Sequence, residues 1–411
     1  MKRYCKEIDF NLEFMKASIY RCLNANNRWK REDFILTLAI YTRKYLVKTK
    51  RIRYDIFYLE RKIKLLIKEN KKEKLAVIVE YIALELRTEI KERKIYTPPI
   101  KYEKRYDSSS QKIRNIGILS AKQQLYDYIT VDAMSRMLHA KLGYYQCAAI
   151  IGKGQVFGKQ SIEYWIRVHP DKCKWIYKAD VRHYYDSINH QVLLNFLKND
   201  IKNDDLIYLL EYLIGTFGDI GLCIGSYLCQ YLANYLMSYV YHYVQEELYI
   251  EGRGKRIKLV NYILIYMDDV LFLGSSKKNV KMAAKLFEKY VNEVLLLEIK
   301  PNFQFFQLGE QPIDMLGYII WPDRTLVRRK VHLKANRTFR KVQREKYTMT
   351  IKTARRVTSY YGFYIRTNSN KYKRQVKLEK VVNNARRVIS NDSKKRNISR
   401  YTTKIPISTQ I

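Results

Sequence analysis

NYILIYMDDVLFLG, residues 261–274, sets two adjacent acids, Asp268 and Asp269, in the middle of an apolar run. Residues 262–266 and 270–273 are rich in β-branched and aromatic side chains, which predicts two short buried strands. Residues 267–268 then fall at the turn of a tight hairpin, although Asn-Gly or Asp-Gly would suit that turn far better. A poor turn sequence that sets two carboxylates against a hydrophobic sheet costs stability, and such places are often functional. Buried carboxylates need counter-charge, and a divalent metal is its commonest non-peptide source. On this stretch alone, a solvated Asp-Asp turn stands as the alternative.

Upstream, residues 175–181 (WIYKADV) read as a buried strand ending in Asp180, followed by a polar turn over 182–187. A helix follows, capped by Ser187 or Asn189, with Val192, Leu193, Phe196 and Leu197 inward. The Gly-rich loop 215–225 leads into a helix over 227–243. Downstream of the acidic pair, a helix is expected through 281–297, and Lys300 follows in LEIKPN. Residues 313–321 (IDMLGYIIW) read as one more strand with a Gly break. From about residue 325 the chain is strongly basic and helical to 391, and 392–411 read as a frayed tail.

Residues 1–95 read as a helical layer for packing or RNA docking. Leu59, Ile63, Leu66 and Ile67 share one helical face, and 75–90 form a second helical pattern. Thr97-Pro98-Pro99 marks a boundary, because Pro stops helices and stiffens linkers. Beyond it, Lys101, Lys104, Arg105, Lys112 and Arg114 surround a Ser-rich turn, 108–110, before the apolar stretch 116–119. This predicts a basic β-hairpin, after which 123–138 return to helical periodicity. Gly152-Lys153-Gly154-Gln155 and Gly158-Lys159 form a loop before a helix over 161–168. Its amides could cradle phosphate, or it is a plain turn, since the spacing is not that of a P-loop.

The 411 residues hold 78 Lys plus Arg against 40 Asp plus Glu, a formal net charge of +38. Such an excess repels itself in the free protein and points to a polyanionic partner. The 37 Tyr suit base stacking beside phosphate contacts. A composition drawn from an AT-rich genome accounts for part of the Lys count but not for the imbalance. Cys5, Cys22, Cys147, Cys173, Cys223 and Cys229 form no CxxC pair and read as free thiols in a reducing compartment. The N-terminus lacks the apolar core of a signal peptide, and no apolar run reaches membrane-spanning length. The expectation is a soluble, cytoplasmic protein.

Taken in order, these pieces resemble the palm of reverse transcriptases over roughly residues 112–366, bacterial enzymes more than retroviral ones. The carriers are KADVRHYYDSI with Asp180, the Gly-loop and its helix, Tyr266-Met267-Asp268-Asp269, the Lys300 turn and IDMLGYII. The resemblance implies an α+β right-hand polymerase with an N-terminal helical extension (1–95), fingers (96–170), palm (171–325) and a basic helical thumb with tail (326–411). It implies RNA-directed DNA synthesis with two Mg2+ ions, Mn2+ being the substitute. Asp180 and Asp268 would bridge the ions, with the Val181 carbonyl assisting and Asp269 close by. Nucleotidyl transfer suits oxygen ligands converging from adjacent strands.

By the same resemblance Tyr185 lies under the sugar and excludes a 2′-hydroxyl, while Lys112 and Arg114 grip the triphosphate and Lys300 lies near the pyrophosphate. Tyr266, Met267 and Gly317 meet nucleic acid, and residues 315–319 support the primer end. Arg355, Arg356 and Lys371 belong to thumb helices. Many relatives carry Pro-Gln-Gly in the Gly-loop, its Gln contacting the nucleotide. Here Ile224 stands at that position and Gln230 lies further on, and an Ile cannot hydrogen-bond there. The resulting GLxIGxxxxQ pattern is similar to stand-alone enzymes of bacterial antiphage defence and to diversity-generating retroelement enzymes. The long N-terminal extension favours the former. Expected partners are a structured non-coding RNA template, the DNA product and deoxynucleotides, with no membrane; a homo-oligomer or an accessory protein is left open. A catalytically silent RNA-binding protein and an RNA-dependent RNA polymerase are the competing readings. The three Asp argue against the first, and Tyr185 against the second.

Overall fold

The structure, a computed structural model, describes residues 3–107, 112–252 and 254–402, with side chains as far as 392. It opens with four helices, α1 (Leu12–Asn24), α2 (Glu32–Lys50), α3 (Ile56–Lys68) and α4 (Ala76–Lys91). Asn11 and Asp55 start α1 and α3 by accepting from the Phe14 and Tyr58 amides, which satisfies orphan donors of the first turn. Helix α3 buries Leu59, Ile63 and Ile67, the stripe expected from the spacing, and leaves Leu66 half-buried.

The basic hairpin is present as β1 (Lys101–Asp107) and β2 (Lys112–Ile118), antiparallel with Lys101 opposite Ile118. Its Ser-rich turn, 108–110, lies outside the described residues. Helix α5 (Ala121–Lys141), capped by Ser120, is buried on nearly every side. The Gly/Lys loop is shorter than the sequence suggests, because α6 (Gln155–Val168) already includes Gly158 and Lys159. Lys159 is buried, pairs with Glu163 at 2.8 Å and donates to the Arg366 carbonyl, so its side chain is taken up by packing.

Then follow β3 (Trp175–Asp180), the single turn α7 (Tyr184–Ser187), α8 (His190–Asp200), α9 (Asp204–Gly215) and α10 (Tyr227–His242). Asn189, and not Ser187, caps α8. Strands β4 (Tyr249–Gly252) and β5 (Lys255–Lys258) make a small hairpin ahead of β6 (Tyr262–Tyr266) and β7 (Asp269–Gly274). Helix α11 (Lys277–Glu293) closes earlier than its apolar pattern suggests. The remaining strands are β8 (Gln304–Gln307), β9 (Ile313–Met315), β10 (Tyr318–Ile320) and β11 (Thr325–Val327). IDMLGYIIW is thus a hairpin and not one strand: Leu316 and Gly317 take φ +58° and +86°, and Met315 pairs with Tyr318. The basic C-terminal segment opens with strand β11, and its helical part is divided into α12 (Arg329–Arg344), α13 (Ile351–Tyr364), α14 (Asn370–Gln375) and α15 (Leu378–Thr402). Helix continues past 391 to Thr402, and the rest of the expected tail, 403–411, lies outside the described residues.

The chain divides into two compact units. The first comprises 1–153, 177–272 and 277–304. It holds neighbouring strands in the order β6-β7-β3, with Tyr177, Phe272 and Phe287 packed ring to ring at 5.3–6.1 Å. The second comprises 154–176, 273–276 and 305–411. There β11-β10-β9 form a three-stranded sheet, and Phe339, Val357, Tyr364 and Val381 anchor the core under the C-terminal helices. All six cysteines are buried free thiols, as expected. Among the described residues no helix is long and apolar enough to cross a membrane. The fold class is α+β.

Candidate active site

Strands β6 and β7 meet at Met267–Asp268, with Met267 in the left-handed region at φ +55°. A non-Gly residue held there is strained, and the flanking strands, buried through Ile263–Ile265 and Val270–Phe272, enforce it. Asp180 ends β3. The Val181 amide donates to the Asp268 carbonyl at 3.1 Å, which holds Asp180 and Asp268 side by side. The other side of this strand end is paired to residues 298–300. The Lys300 amide donates to the Asp180 carbonyl at 2.9 Å, and the Arg182 amide to the Glu298 carbonyl at 2.7 Å.

Burial pushes the Asp268 carboxyl up to about 6, and the charges of Asp180 and Asp269 push the same way. Lys300 opposes them, and its ammonium donates to Asp180 Oδ1. Three carboxylates against one ammonium leave a net negative site within a largely apolar sheet. That donor set, all oxygen, fits a hard divalent cation. Among the described residues no group of three or more His, Cys, Asp or Glu side chains is gathered closely enough to hold an ion by itself. Asp180, Asp268 and Asp269 are the side chains that would hold such an ion.

Tyr185 lies beside this pair, half-buried, its hydroxyl donating to Met267 Sδ at 3.7 Å. Burial, with Cys229 and Asp268 adding to it, holds its phenol well above the usual range. The Gly-loop backs the turn that carries it: the Leu222 amide donates to the Tyr185 carbonyl at 2.6 Å and the Gly221 amide to the Ile188 carbonyl at 2.9 Å. Gly221 is required here, since at φ +87° any Cβ would stand 2.9 Å from the Asp186 carbonyl oxygen. On its other side the loop is tied to β2, where the Gly117 amide donates to the Ile224 carbonyl at 2.8 Å. Tyr102, Asn115, Asp186 and loop residues 220–224 line a cavity of about 260 Å³.

Asp180, Val181, Asp268, Asp269, Lys300, Tyr185 and Met267 therefore come together in the first unit, as does Tyr266, the last residue of β6. Lys112 and Arg114 are exposed on β2, with Arg114 Nε 3.4 Å from Asp107. Gln230 is exposed one turn into α10. Gly317, Arg355, Arg356 and Lys371 belong to the second unit. There the β9–β10 turn needs Gly317, whose Cβ would lie 2.6 Å from the Phe363 ring. Arg355, Arg356 and Lys371 are exposed, Arg355 3.9 Å from Asp392.

Sequence reasoning missed Asp127. It is fully buried on α5, and its Oδ2 accepts from Ser226 Oγ at 2.7 Å and the Tyr227 amide at 3.2 Å. It thereby anchors the loop-to-α10 junction. A lone Asp within an apolar helix stretch, LYDYI, was the available signal. Gly117 was missed as well, because its role is set by distant residues: its amide meets the Ile224 carbonyl, and the Cys223 Sγ would lie 2.1 Å from a Cβ there.

The family model for reverse transcriptase (RNA-dependent DNA polymerase) matches residues 102–320, and the chain belongs to that family. With it comes the right-hand polymerase fold. No curated protein matches the chain. Among solved structures it is similar to an apo telomerase from Candida tropicalis truncated from its C-terminal domain. The identity is 16% over 54% of this chain and 52% of that one, with a TM-score of 0.38. It is also similar to a chain in the segmented genome and RNA polymerase complex inside a dsRNA virus. That match has 13% identity over 56% of this chain and 22% of the other, with a TM-score of 0.39. The chain thus spans about half the length of the telomerase chain and less of the viral one.

Proposed function

We propose that this protein is an RNA-directed DNA polymerase that copies a structured RNA into cDNA by two-metal nucleotidyl transfer. The observation that carries the reading is the pairing of Asp180 with Asp268 through the Val181 amide, with the Asp268 carboxyl raised to about 6. Asp180, Asp268 and the Val181 carbonyl would hold two Mg2+ ions, replaceable by Mn2+, and Asp269 completes the negative charge. Bound there, such ions activate the primer 3′-hydroxyl and steady the leaving pyrophosphate. Tyr185 limits the space at the sugar, so deoxynucleotides are the substrates. Lys112 and Arg114 bind the triphosphate, Gln230 approaches the nucleotide, and Lys300 lies near the departing pyrophosphate. Tyr266, Met267 and Gly317 meet nucleic acid, and Arg355, Arg356 and Lys371 follow the duplex backbone.

In this reading 1–95 form an extension, 96–170 the fingers, 171–325 the palm and 326–411 the thumb and tail. The Ile224 pattern suits defence-associated and diversity-generating enzymes alike, and the long N-terminal layer favours a role in bacterial antiphage defence, with the cytoplasm as its place. Incorporation of deoxynucleotides into acid-insoluble product on an RNA template, with and without divalent ion, tests the activity. Incorporation of ribonucleotides alone, or none in either condition, overturns it. Sequencing the RNA and DNA that co-purify with the chain tests the template and the role.

A further inference from the structure

We infer that the outer face of α3, with the segment 51–55 before it, binds single-stranded nucleic acid by stacking bases on Tyr54, Phe57 and Tyr58. This deepens the polymerase reading and rests on it for the identity of the strand. The inner face of the helix is satisfied by Leu59, Ile63 and Ile67, so nothing in the packing explains the outer one. Phe57 is 70% exposed, Tyr58 48% and Tyr54 40%. Folding leaves rings of this size in water only at a cost, since each would gain by burial.

Their arrangement suits bases. Tyr54 and Tyr58 are four residues apart, on one side of the helix start, and their rings stack at 5.4 Å and 23°. The pair is held by the local fold: the Asp55 carboxylate caps the helix on the Tyr58 amide at 3.2 Å. Arg51 closes α2 in the left-handed conformation, its amide on the Val47 carbonyl at 3.2 Å, which fixes where the segment leaves that helix. A preformed aromatic platform loses little side-chain freedom when a ring is laid on it.

The charge selects the partner. Residues 50–68 carry seven Lys and Arg against Asp55 and Glu60. Arg51, Arg53, Arg61 and Lys62 are exposed, and the Lys62 ammonium lies 6.0 Å from the Tyr58 ring centre. Cations at the borders of exposed rings match a strand whose phosphates flank its bases. A duplex hides its base faces and would use only the cations. A second copy of this chain would bring its own positive charge, +38 formal, to the same face.

The test measures binding of the full chain to a labelled oligouridine of about 12 nucleotides, and to an RNA duplex of similar length, across a salt series. Tyr54→Ala/Phe57→Ala/Tyr58→Ala should weaken oligouridine binding by about tenfold or more, leaving its salt slope and duplex binding unchanged. Tyr54→Phe/Tyr58→Phe should bind like wild type, because the rings remain. Arg51→Gln/Arg53→Gln/Arg61→Gln should lower the salt slope by about 2 for the single strand. Wild-type oligouridine affinity in the Ala variant, or an equal loss on duplex, overturns the inference. So does a change of oligomeric state in that variant with affinity unchanged, which would assign the face to a second copy. Extension of a preannealed primer is measured in parallel. Ring-dependent binding without extension by the wild type would sink the polymerase reading and leave this surface standing, and the converse pattern would do the reverse.

Discussion

The Val181 amide reaches the Asp268 carbonyl at 3.1 Å, and this backbone bond joins the end of β3 to the turn between β6 and β7. Two acids 88 positions apart in the chain are thereby brought side by side. In the proposed two-metal reading, removing one of these charges would weaken transition-state stabilisation directly. Asp268→Asn should abolish synthesis while preserving the fold and RNA binding. Primer extension with purified variant checks this. Retention of more than about a tenth of wild-type activity, only ~1.4 kcal/mol of barrier, would remove Asp268 from the site.

Burial raises the Asp268 carboxyl to about 6, and in the proposed reading its ionised form holds the cation. Synthesis should therefore rise with pH through about 6, and the acid limb should move lower as divalent ion is added, because ion and proton compete. Without ion the sign for stability is opposite. A carboxyl whose folded value is raised makes folding less favourable as pH climbs from its ordinary 3.8 through about 6. The thermal midpoint of wild type relative to Asp268→Asn should fall across that window. A flat difference would show that the folded chain does not raise the Asp268 carboxyl.

Tyr185→Val should admit ribonucleotides, since the proposed gate works by volume and the hydroxyl now rests on Met267 Sδ. The measurement is the ratio of ribo- to deoxynucleotide incorporation. An unchanged ratio would reduce Tyr185 to packing.

Asp127 supplies the acceptor that ties Ser226 and the Tyr227 amide to α5. Asp127→Ala should cost about 1–2 kcal/mol of stability, the scale of a lost helix cap. Burial raises its carboxyl to about 7, so wild type should lose stability relative to Asp127→Asn as pH rises from 3.8 through about 7. Denaturant midpoints at several pH values check both. An Ala variant as stable as wild type would mean that Ser226 caps α10 unaided.

Replacing Arg355, Arg356 and Lys371 together should flatten the salt dependence of RNA binding by about 2–3 in slope, similarly for unrelated sequences. Binding of a co-purified RNA and of a scrambled RNA at two salt concentrations reads it. Binding that barely responds to salt would leave the net charge of +38 without a role in RNA binding.

Some of this was legible in the residues themselves. The acidic hairpin, the strand ending in Asp180, the basic hairpin and the amphipathic α3 each declare themselves by local periodicity and residue type, which neighbours in sequence suffice to set. Where local pattern competed with packing, it misled. Gly158 and Lys159 look like loop residues, but Lys159 finds Glu163 one turn away and is drawn into α6. IDMLGYIIW looks like one strand, but Leu316 and Gly317 turn it back on itself, because Tyr318 gains Met315 as a partner across the hairpin.

What only tertiary structure decided are the relations between distant residues. The approach of Asp180 to Asp268 depends on a bond from Val181, and the position of Ile224 depends on the Gly117 amide of a hairpin over a hundred residues earlier. Asp127 belongs to the loop-to-α10 junction only because α5 packs against α10. Such acids carry no periodic signal of their own. Their meaning comes from the low-dielectric space that other segments build around them, and so from the folded chain and not from its order.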